Sequence, residues 1–233
     1  MPEGVDLLVF GPHPDDLEIG LGGSIAKHVS LGHRVGLCDL TRGELGTNGT
    51  PDDRLAESEA ARAVLGASWR ENLSLPDGDI GGDPSHLRTI VALIRRARPK
   101  TIAVPYRRDR HPDHVAASRL LTRAAFLSGL TRYASVGEKW RADWLLYYFI
   151  NDSTRPSFVV DVSAHYETKR AALACHRSQF ARPSTEAAAT RLNTPRFRQL
   201  IESRDAQFGA LIGVAFAEGV VVRELLVRDH LIR

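Results

Sequence analysis

Three features of the sequence predict a three-layer α/β fold on a mainly parallel sheet. Short β-rich runs alternate with helical patterns through the first half of the chain, as βαβ units require. The helical stretches carry recognisable start and stop signals. The composition, 43% hydrophobic and 25% charged over 233 residues, is that of a soluble chain with enough apolar material for one large domain, residues 1–233.

The β-rich runs are Val5–Gly11, Arg34–Thr41, Glu71–Pro76 and Thr101–Tyr106. Helices are predicted between and after them at Gly20–Leu31, Asp52–Leu65, Ser85–Ala97 and Asp113–Leu127. Thr50-Pro51-Asp52-Asp53 supplies an N-cap hydroxyl, a proline at the first helical position and an acid at the third. Pro99 stops the third helix. Beyond Ser128 the pattern changes. Strands are predicted at Trp144–Ile150 and Ser157–Ser163, helices at Ala164–Arg177 and Pro195–Ile212, and a closing β-rich run at Gly219–Val227. Residues Ala181–Pro195 read as a mobile loop.

Several function classes are set aside by composition. No apolar run approaches the roughly 20 residues needed to span a membrane, and no basic segment leads into an apolar stretch near Met1, so no signal peptide is expected. With only Cys38 and Cys175, a disulfide framework is not implied. A cytoplasmic protein is expected. The net charge is only +3; arginine greatly outnumbers the lysines Lys27, Lys100, Lys139 and Lys169, and the arginines are scattered. Nucleic-acid binding would concentrate basic residues on one stripe beside stacking aromatics, so no nucleic-acid partner and no membrane partner are expected.

In an open parallel sheet, ligands bind at the carboxyl ends of the strands. The loop after the first strand is Gly11-Pro12-His13-Pro14-Asp15-Asp16. A dinucleotide-binding turn would carry spaced glycines there; Gly20 to Gly23 do not match that spacing. Two adjacent carboxylates would repel a phosphate, whereas a divalent metal such as Zn²⁺ accepts both imidazole and carboxylate. His13 and one aspartate can be ligands, leaving the other aspartate as a base. Pro12 and Pro14 stiffen the loop. The competing reading makes one of the aspartates a helix cap, which leaves His13 and the second acid unexplained.

The loop after the fourth strand repeats the pattern as Arg108-Asp109-Arg110-His111-Pro112-Asp113-His114. His111 and His114 stand three apart, a spacing that can turn both toward one pocket at a helix start. One can bind the metal while the other faces substrate, and Asp113 can accept from an imidazole N–H. A lone histidine here would read as a cap; two such loops at equivalent strand ends argue for a metal. His28, His33, His86, His165, His176 and His230 lack this context and are left as surface or core residues.

Together, HPDD after the first strand, TRGELGTNGTPDDR after the second, LPDG after the third and RHPDH after the fourth resemble the PIG-L or LmbE-like family of zinc-dependent N-acetylglucosaminyl deacetylases. The stretches His176–Phe180 (HRSQF) and Ile212–Gly219 (IGVAFAEG) are most similar to the bacillithiol-biosynthesis branch, which deacetylates N-acetylglucosaminyl-malate. The resemblance implies a Rossmann-like three-layer fold with a zinc site at the carboxyl ends of the strands. It implies His13, Asp16 and His114 as zinc ligands and Asp15 as general base. His111, partnered by Asp113, would stabilise the oxyanion or protonate the leaving amine. Arg54 and Asp77 would contact the sugar or its aglycone, with Arg110 beside the site; Arg54 and Arg110 are candidates to read the malate carboxylates. It also implies a small acetylated amino-sugar conjugate as substrate and a homo-oligomer, a trimer or hexamer. The sequence departs from the family pattern at Phe197, near which relatives carry a tyrosine, so a second oxyanion donor is not supplied there. The rival readings are a zinc deacetylase of another acetylated sugar or amine, and a metal- or nucleotide-binding module without catalysis.

Overall fold

Leu7–Gly11 and Val35–Thr41 are buried along their whole lengths, as strands covered on both faces must be. They are β1 and β2 in the computed structural model of the chain, which describes residues 4–181 and 188–227. The other strands are β3 (Trp69–Leu75), β4 (Thr101–Pro105), β5 (Trp144–Tyr148), β6 (Phe158–Asp161) and β7 (Ala217–Val221). One seven-stranded sheet orders them β3-β2-β1-β4-β5-β7-β6. The pairs from β3 through β5 are parallel, and β7 runs antiparallel to both β5 and β6. The predicted α/β architecture with a mainly parallel sheet is therefore observed.

The helices are α1 (Asp16–Ser30), α2 (Pro51–Leu65), α3 (Pro84–Ala97), α4 (Pro112–Ser128), α5 (Tyr166–Cys175), α6 (Arg177–Phe180) and α7 (Pro195–Ala210). Helices α1, α2 and α5 pack together, as do α3 and α4. Two apolar clusters result. One holds Leu7, Val9, Leu17 and Ile25; the other holds Leu8, Phe10, Ile90 and Val104. Alternate residues of β1 thus feed opposite cores, the period-2 consequence of a pleated strand.

Four stretches depart from the sequence expectation by more than the one- or two-residue shifts at other element ends. Helix α1 begins at Asp16 rather than Gly20, so that Leu17 and Ile19 directly after the His-Pro-Asp loop already belong to it; its dihedrals break locally at Leu21. The helix expected at Ala164–Arg177 is split into a 3₁₀ turn at Ser163–His165, then α5 and α6. The last strand is Ala217–Val221, because β5 and β6 supply pairing partners only that far. Of the loop expected at Ala181–Pro195, residues 182–187 lie outside the described residues. Residues after them are tied down: Asn48 Nδ2 donates to Ala188 O at 2.9 Å, and Ala188 N donates to Asn48 Oδ1 at 3.0 Å.

Gly20 serves packing. A side chain there would run into the Tyr148 ring, which lies buried under α1 with its hydroxyl donating to Phe10 O at 2.8 Å. Below α1, Arg70 of β3 donates to both oxygens of Asp39, at 2.7 and 2.8 Å, and to Glu18 Oε1 at 2.5 Å. His176, fully buried, places Nε2 3.3 Å from Glu18 Oε2. This ionic group fixes the first turns of α1 relative to β2 and β3.

Candidate metal centre and its cleft

Strands β1 and β4 are neighbours, but β1 leads through α1 to β2 on one side and β4 leads through α4 to β5 on the other. The chain reverses its order there, and a crevice opens at the carboxyl ends of the two strands. The two His-Pro-Asp loops flank it. They line a cavity of about 500 Å³ together with Leu45, Arg54, Asp77, Asn151 and Arg191.

His13 Nδ1 lies 3.1 Å from Asp16 Oδ2, and His114 Nε2 lies 3.3 Å from the same oxygen. Each of these three buried residues offers a ligand atom within 4.8 Å of the others. A tetrahedral ion with bonds of about 2.0–2.2 Å sets ligand–ligand edges of about 3.3–3.6 Å, so the two measured edges are close to a metal-binding geometry. The far sides of both rings meet carboxylates. His13 Nε2 is 3.1 Å from Asp77 Oδ1 and 3.2 Å from Asp113 Oδ2; His114 Nδ1 is 3.1 Å from Asp109 Oδ1. Such partners orient a ligating imidazole and raise its basicity.

Charge also fits a dication. Asp15, Asp16, Asp77, Asp109 and Asp113 converge around two buried imidazoles. Burial would disfavour charge on Asp16, but His114 and His13 outweigh it and hold the carboxyl well below its usual range. Burial likewise opposes charge on His13, yet hydrogen bonds to Asp113, Asp16 and Asp77 raise it well above an ordinary histidine. His114, against the same cost of burial, is raised to about 9 by Asp16 and Asp109. A site that draws positive charge this strongly, with two nitrogens and one oxygen converging, suits a divalent ion with three protein ligands and one open position.

Asp15 differs from its neighbour. Its φ is 112°, left-handed for a residue with a side chain, and it makes no side-chain cap to α1. Such conformations cost on the order of 1–3 kcal/mol and cluster at functional sites. The capping alternative therefore does not account for Asp15. Its Oδ2 is buried without a hydrogen-bond partner among the described residues; the nearest cation is Arg54 Nη2 at 3.5 Å. Burial pushes the carboxyl up to about 7, against the opposing pull of Arg54, a value suited to a base working near neutrality.

Arg54 was expected at the sugar or aglycone. The structure turns its guanidinium inward: Nη1 donates to Gly43 O at 3.0 Å and Nη2 to Pro14 O at 2.7 Å. Gly43 has φ +66°, and a Cβ there would overlap that guanidinium. Arg54 thus braces the Asp15 loop against the loop after β2. Asp77 lines the cleft with Oδ1 on His13 and Oδ2 accepting from Leu45 N at 3.0 Å. Arg110 is exposed and lines the cleft.

The pairing of His111 with the Asp113 carboxylate is corrected. Asp113 Oδ2 takes His13 Nε2 and Gly78 N instead, because both lie across the cleft from α4's first turn. Asp113 meets His111 through its backbone, whose N–H donates to His111 Nδ1 at 3.2 Å. His111 is the N-cap of α4, so the capping reading holds for one ring edge. In the neutral ring this leaves the proton on Nε2. Burial, then the charges of His13 and His114, lower its pKa below the ordinary histidine value. Phe197 lines the cleft, 3% exposed, and no tyrosine is among the described residues lining it.

Sequence reading missed Asp109, Asn151 and Arg191. Asp109 stands five residues before His114, and its role depends on Asn151, whose N and Nδ2 donate to it at 3.0 and 2.9 Å. The HRSQF stretch acts as a clasp. Gln179 Nε2 donates to Asn48 O at 2.7 Å, and Ser178 N and Oγ bond Glu57, both at 2.7 Å.

At its switch point this doubly wound sheet gathers the ligand set and the neighbouring buried carboxylate that hydrolysis at a metal ion requires. The chain belongs to the PIG-L family, described as GlcNAc-PI de-N-acetylase, whose model matches residues 8–125. It is similar to diacetylchitobiose deacetylase of Thermococcus kodakarensis, at 28% identity over 92% of this chain and 81% of that one. It is also similar to a 1D-myo-inositol 2-acetamido-2-deoxy-alpha-D-glucopyranoside deacetylase of Catenulispora acidiphila, at 29% identity covering 74% and 79%. Among solved structures, the conserved protein TT1542 from Thermus thermophilus superposes with a TM-score of 0.88 at 37% identity, covering 98% of this chain and 99% of that one. A 4-carboxy-2-hydroxymuconate hydratase from a Pseudomonas shares the fold, with a TM-score of 0.79 at 21% identity and full coverage of both chains. The fold alone therefore does not set the reaction.

Proposed function

We propose that the chain is a zinc-dependent amidohydrolase that removes the N-acetyl group from an N-acetylglucosaminyl conjugate. The observation that carries this reading is the His13/Asp16/His114 set with the buried Asp15 carboxylate beside it, one oxygen of which lacks a hydrogen-bond partner among the described residues. Family membership and the names of the relatives support the reaction class. His13, Asp16 and His114 would hold the metal, with Asp77, Asp109 and Asp113 orienting the two rings. Bound zinc supplies Lewis acidity, making water acidic near neutral pH and polarising the amide carbonyl.

The protein's own groups account for the remaining chemistry. Asp15 accepts a proton from the attacking water, which adds to the acetyl carbon. His111, neutral with its proton on Nε2, donates a hydrogen bond to the developing oxyanion, a preorganised donor in a partly desolvated site. The C–N bond then breaks, the leaving nitrogen takes the proton from Asp15, and acetate and a free amine remain. Asp15 serves as base and then as acid in one turnover, taking the proton from water and passing it to the leaving nitrogen.

At finer resolution we read the substrate as N-acetyl-α-D-glucosaminyl L-malate of bacillithiol biosynthesis, on the resemblance of the HRSQF and IGVAFAEG stretches. Resemblance to family members that assemble as trimers or hexamers supports a homo-oligomer, and a composition with only Cys38 and Cys175 fits a reduced cytoplasm. Among the described residues, no helix is long and apolar enough to cross a membrane. The test is acetate release from a panel: N-acetylglucosaminyl-malate, diacetylchitobiose, N-acetylglucosaminyl-inositol and plain N-acetylglucosamine. Release from the malate conjugate at the highest kcat/KM supports the finer reading. Preference for another member replaces the substrate and keeps the reaction; acetate from none overturns the deacetylase.

A further inference from the structure

Two arginines at the mouth of the cleft remain outside the mechanism. Arg110 comes from the loop after β4, beside His111. Arg191 comes from the segment between α6 and α7. Both line the same cavity, both are exposed, and neither makes an ion pair with a carboxylate among the described residues.

Arg191 is held in place. Its Nη1 donates to Asn151 Oδ1 at 2.8 Å, and its guanidinium carbon lies 5.2 Å from the Phe197 ring centroid. The segment carrying it is fixed at Ala188 by Asn48, and Thr190 N donates to Asn193 Oδ1 at 2.9 Å. Asn151 is in turn bonded to Asp109, which faces His114. The guanidinium is therefore referenced to the metal centre through two side chains.

This arrangement places like charges together. Burial first, and then the charge of Arg110, lower the pKa of Arg191; Asp152 and Asp109 act in the opposite sense more weakly. Asp109 already serves His114 and Asn151. Two solvated surface arginines would diverge. Here Arg191 is anchored and both line one cavity, so an anion held there would meet two guanidinium groups and offset their like charge.

We propose that Arg110 and Arg191 form a two-guanidinium fork that reads an anionic group on the aglycone of the substrate. The proposal deepens the glucosaminide reading of the cleft and rests on it. The anion is a carboxylate or a phosphate, since a planar guanidinium matches either. The fork determines specificity; it touches no reacting atom.

Equilibrium binding tests it without turnover. Calorimetry on the full chain compares three amine products: glucosaminyl-malate, glucosamine 1-phosphate and methyl glucosaminide. The anionic ligands should bind about 10- to 100-fold more tightly than the methyl glycoside, with an advantage that shrinks as salt is raised. Which anion gains more identifies the source of the charge. Arg191→Gln and Arg110→Gln should each remove most of the advantage, and Arg191→Lys should restore part of it. Equal affinity for charged and neutral ligands in the native protein, or an advantage that survives both glutamine variants, overturns the fork. Acetate release from the corresponding N-acetyl compounds is scored separately. Binding preference without acetate keeps the fork and overturns the deacetylase; acetate without binding preference does the reverse.

Discussion

His114 Nε2 lies 3.3 Å from Asp16 Oδ2, so the helix after β4 and the helix after β1 meet at one oxygen. Neither loop can form the centre alone. His13→Ala and His114→Ala should each leave a folded chain with metal affinity reduced by several orders of magnitude, measured by competition with a chromogenic chelator. Asp109→Asn should weaken it by about 10- to 100-fold, the usual cost of removing a carboxylate behind a ligating histidine. Unchanged affinity in Asp109→Asn would show that Asn151 alone orients His114.

Asp15 and Asp16 are neighbours with opposite environments. Asp15→Asn should retain metal and lose about 10²- to 10⁴-fold in kcat, the range for a general base. Asp16→Asn should lose metal. Reversed outcomes in paired metal analysis and acetate assays would exchange the two roles.

Arg54 contacts two backbone carbonyls and faces Asp15. Arg54→Ala should therefore reduce kcat/KM on the malate conjugate and on a neutral glycoside by the same factor, on the order of 10- to 100-fold. A loss confined to the charged substrate would return Arg54 to aglycone recognition.

Glu18 gives a pH dependence of stability. Burial alone would raise its carboxyl, but Arg70 and His176 bring it down to about 2, below the ordinary 4.5. A depressed folded-state pKa stabilises the fold above the unfolded value and loses that contribution as pH falls toward the folded value. Stability from Glu18 should thus be complete above pH 4.5 and fade between 4.5 and about 2. Glu18→Gln should lower stability at pH 7 by about 3–5 kcal/mol, as expected for breaking a buried pair. The gap from the native protein should narrow on acidification across that window. Parallel melting-temperature curves for the two proteins would rule out this ion pair as the source.

Much of this site is written locally. The convergence of the two His-Pro-Asp loops on one cleft is legible because they follow two strand ends; which aspartate and which histidine would bind metal is proposed on the family resemblance. The alternation of strands and helices is equally local. What stayed hidden depends on contacts far apart in sequence. Arg54 was expected at the sugar or aglycone, and only the distant Gly43 and Pro14 carbonyls turn its guanidinium inward. Asp109 is one aspartate among many until Asn151 and His114 converge on it. Arg70, Asp39, Glu18 and His176 come from four elements, and nothing in their immediate neighbours announces a buried ionic group. The assignment of Asp113 to His111 followed from adjacency in sequence, whereas the turn into α4 directs its carboxylate to His13.

The central claim is that one metal ion at His13, Asp16 and His114 and the Asp15 carboxylate act together in amide hydrolysis. Its most direct test is a zinc titration of the metal-stripped chain, reading bound metal and acetate release from N-acetylglucosaminyl-malate on the same samples. Acetate release should rise with bound zinc and level off at about one ion per chain. Asp15→Asn should bind the same equivalent and release almost no acetate. Acetate release at full rate from the metal-stripped chain, or from zinc-loaded Asp15→Asn, would contradict it.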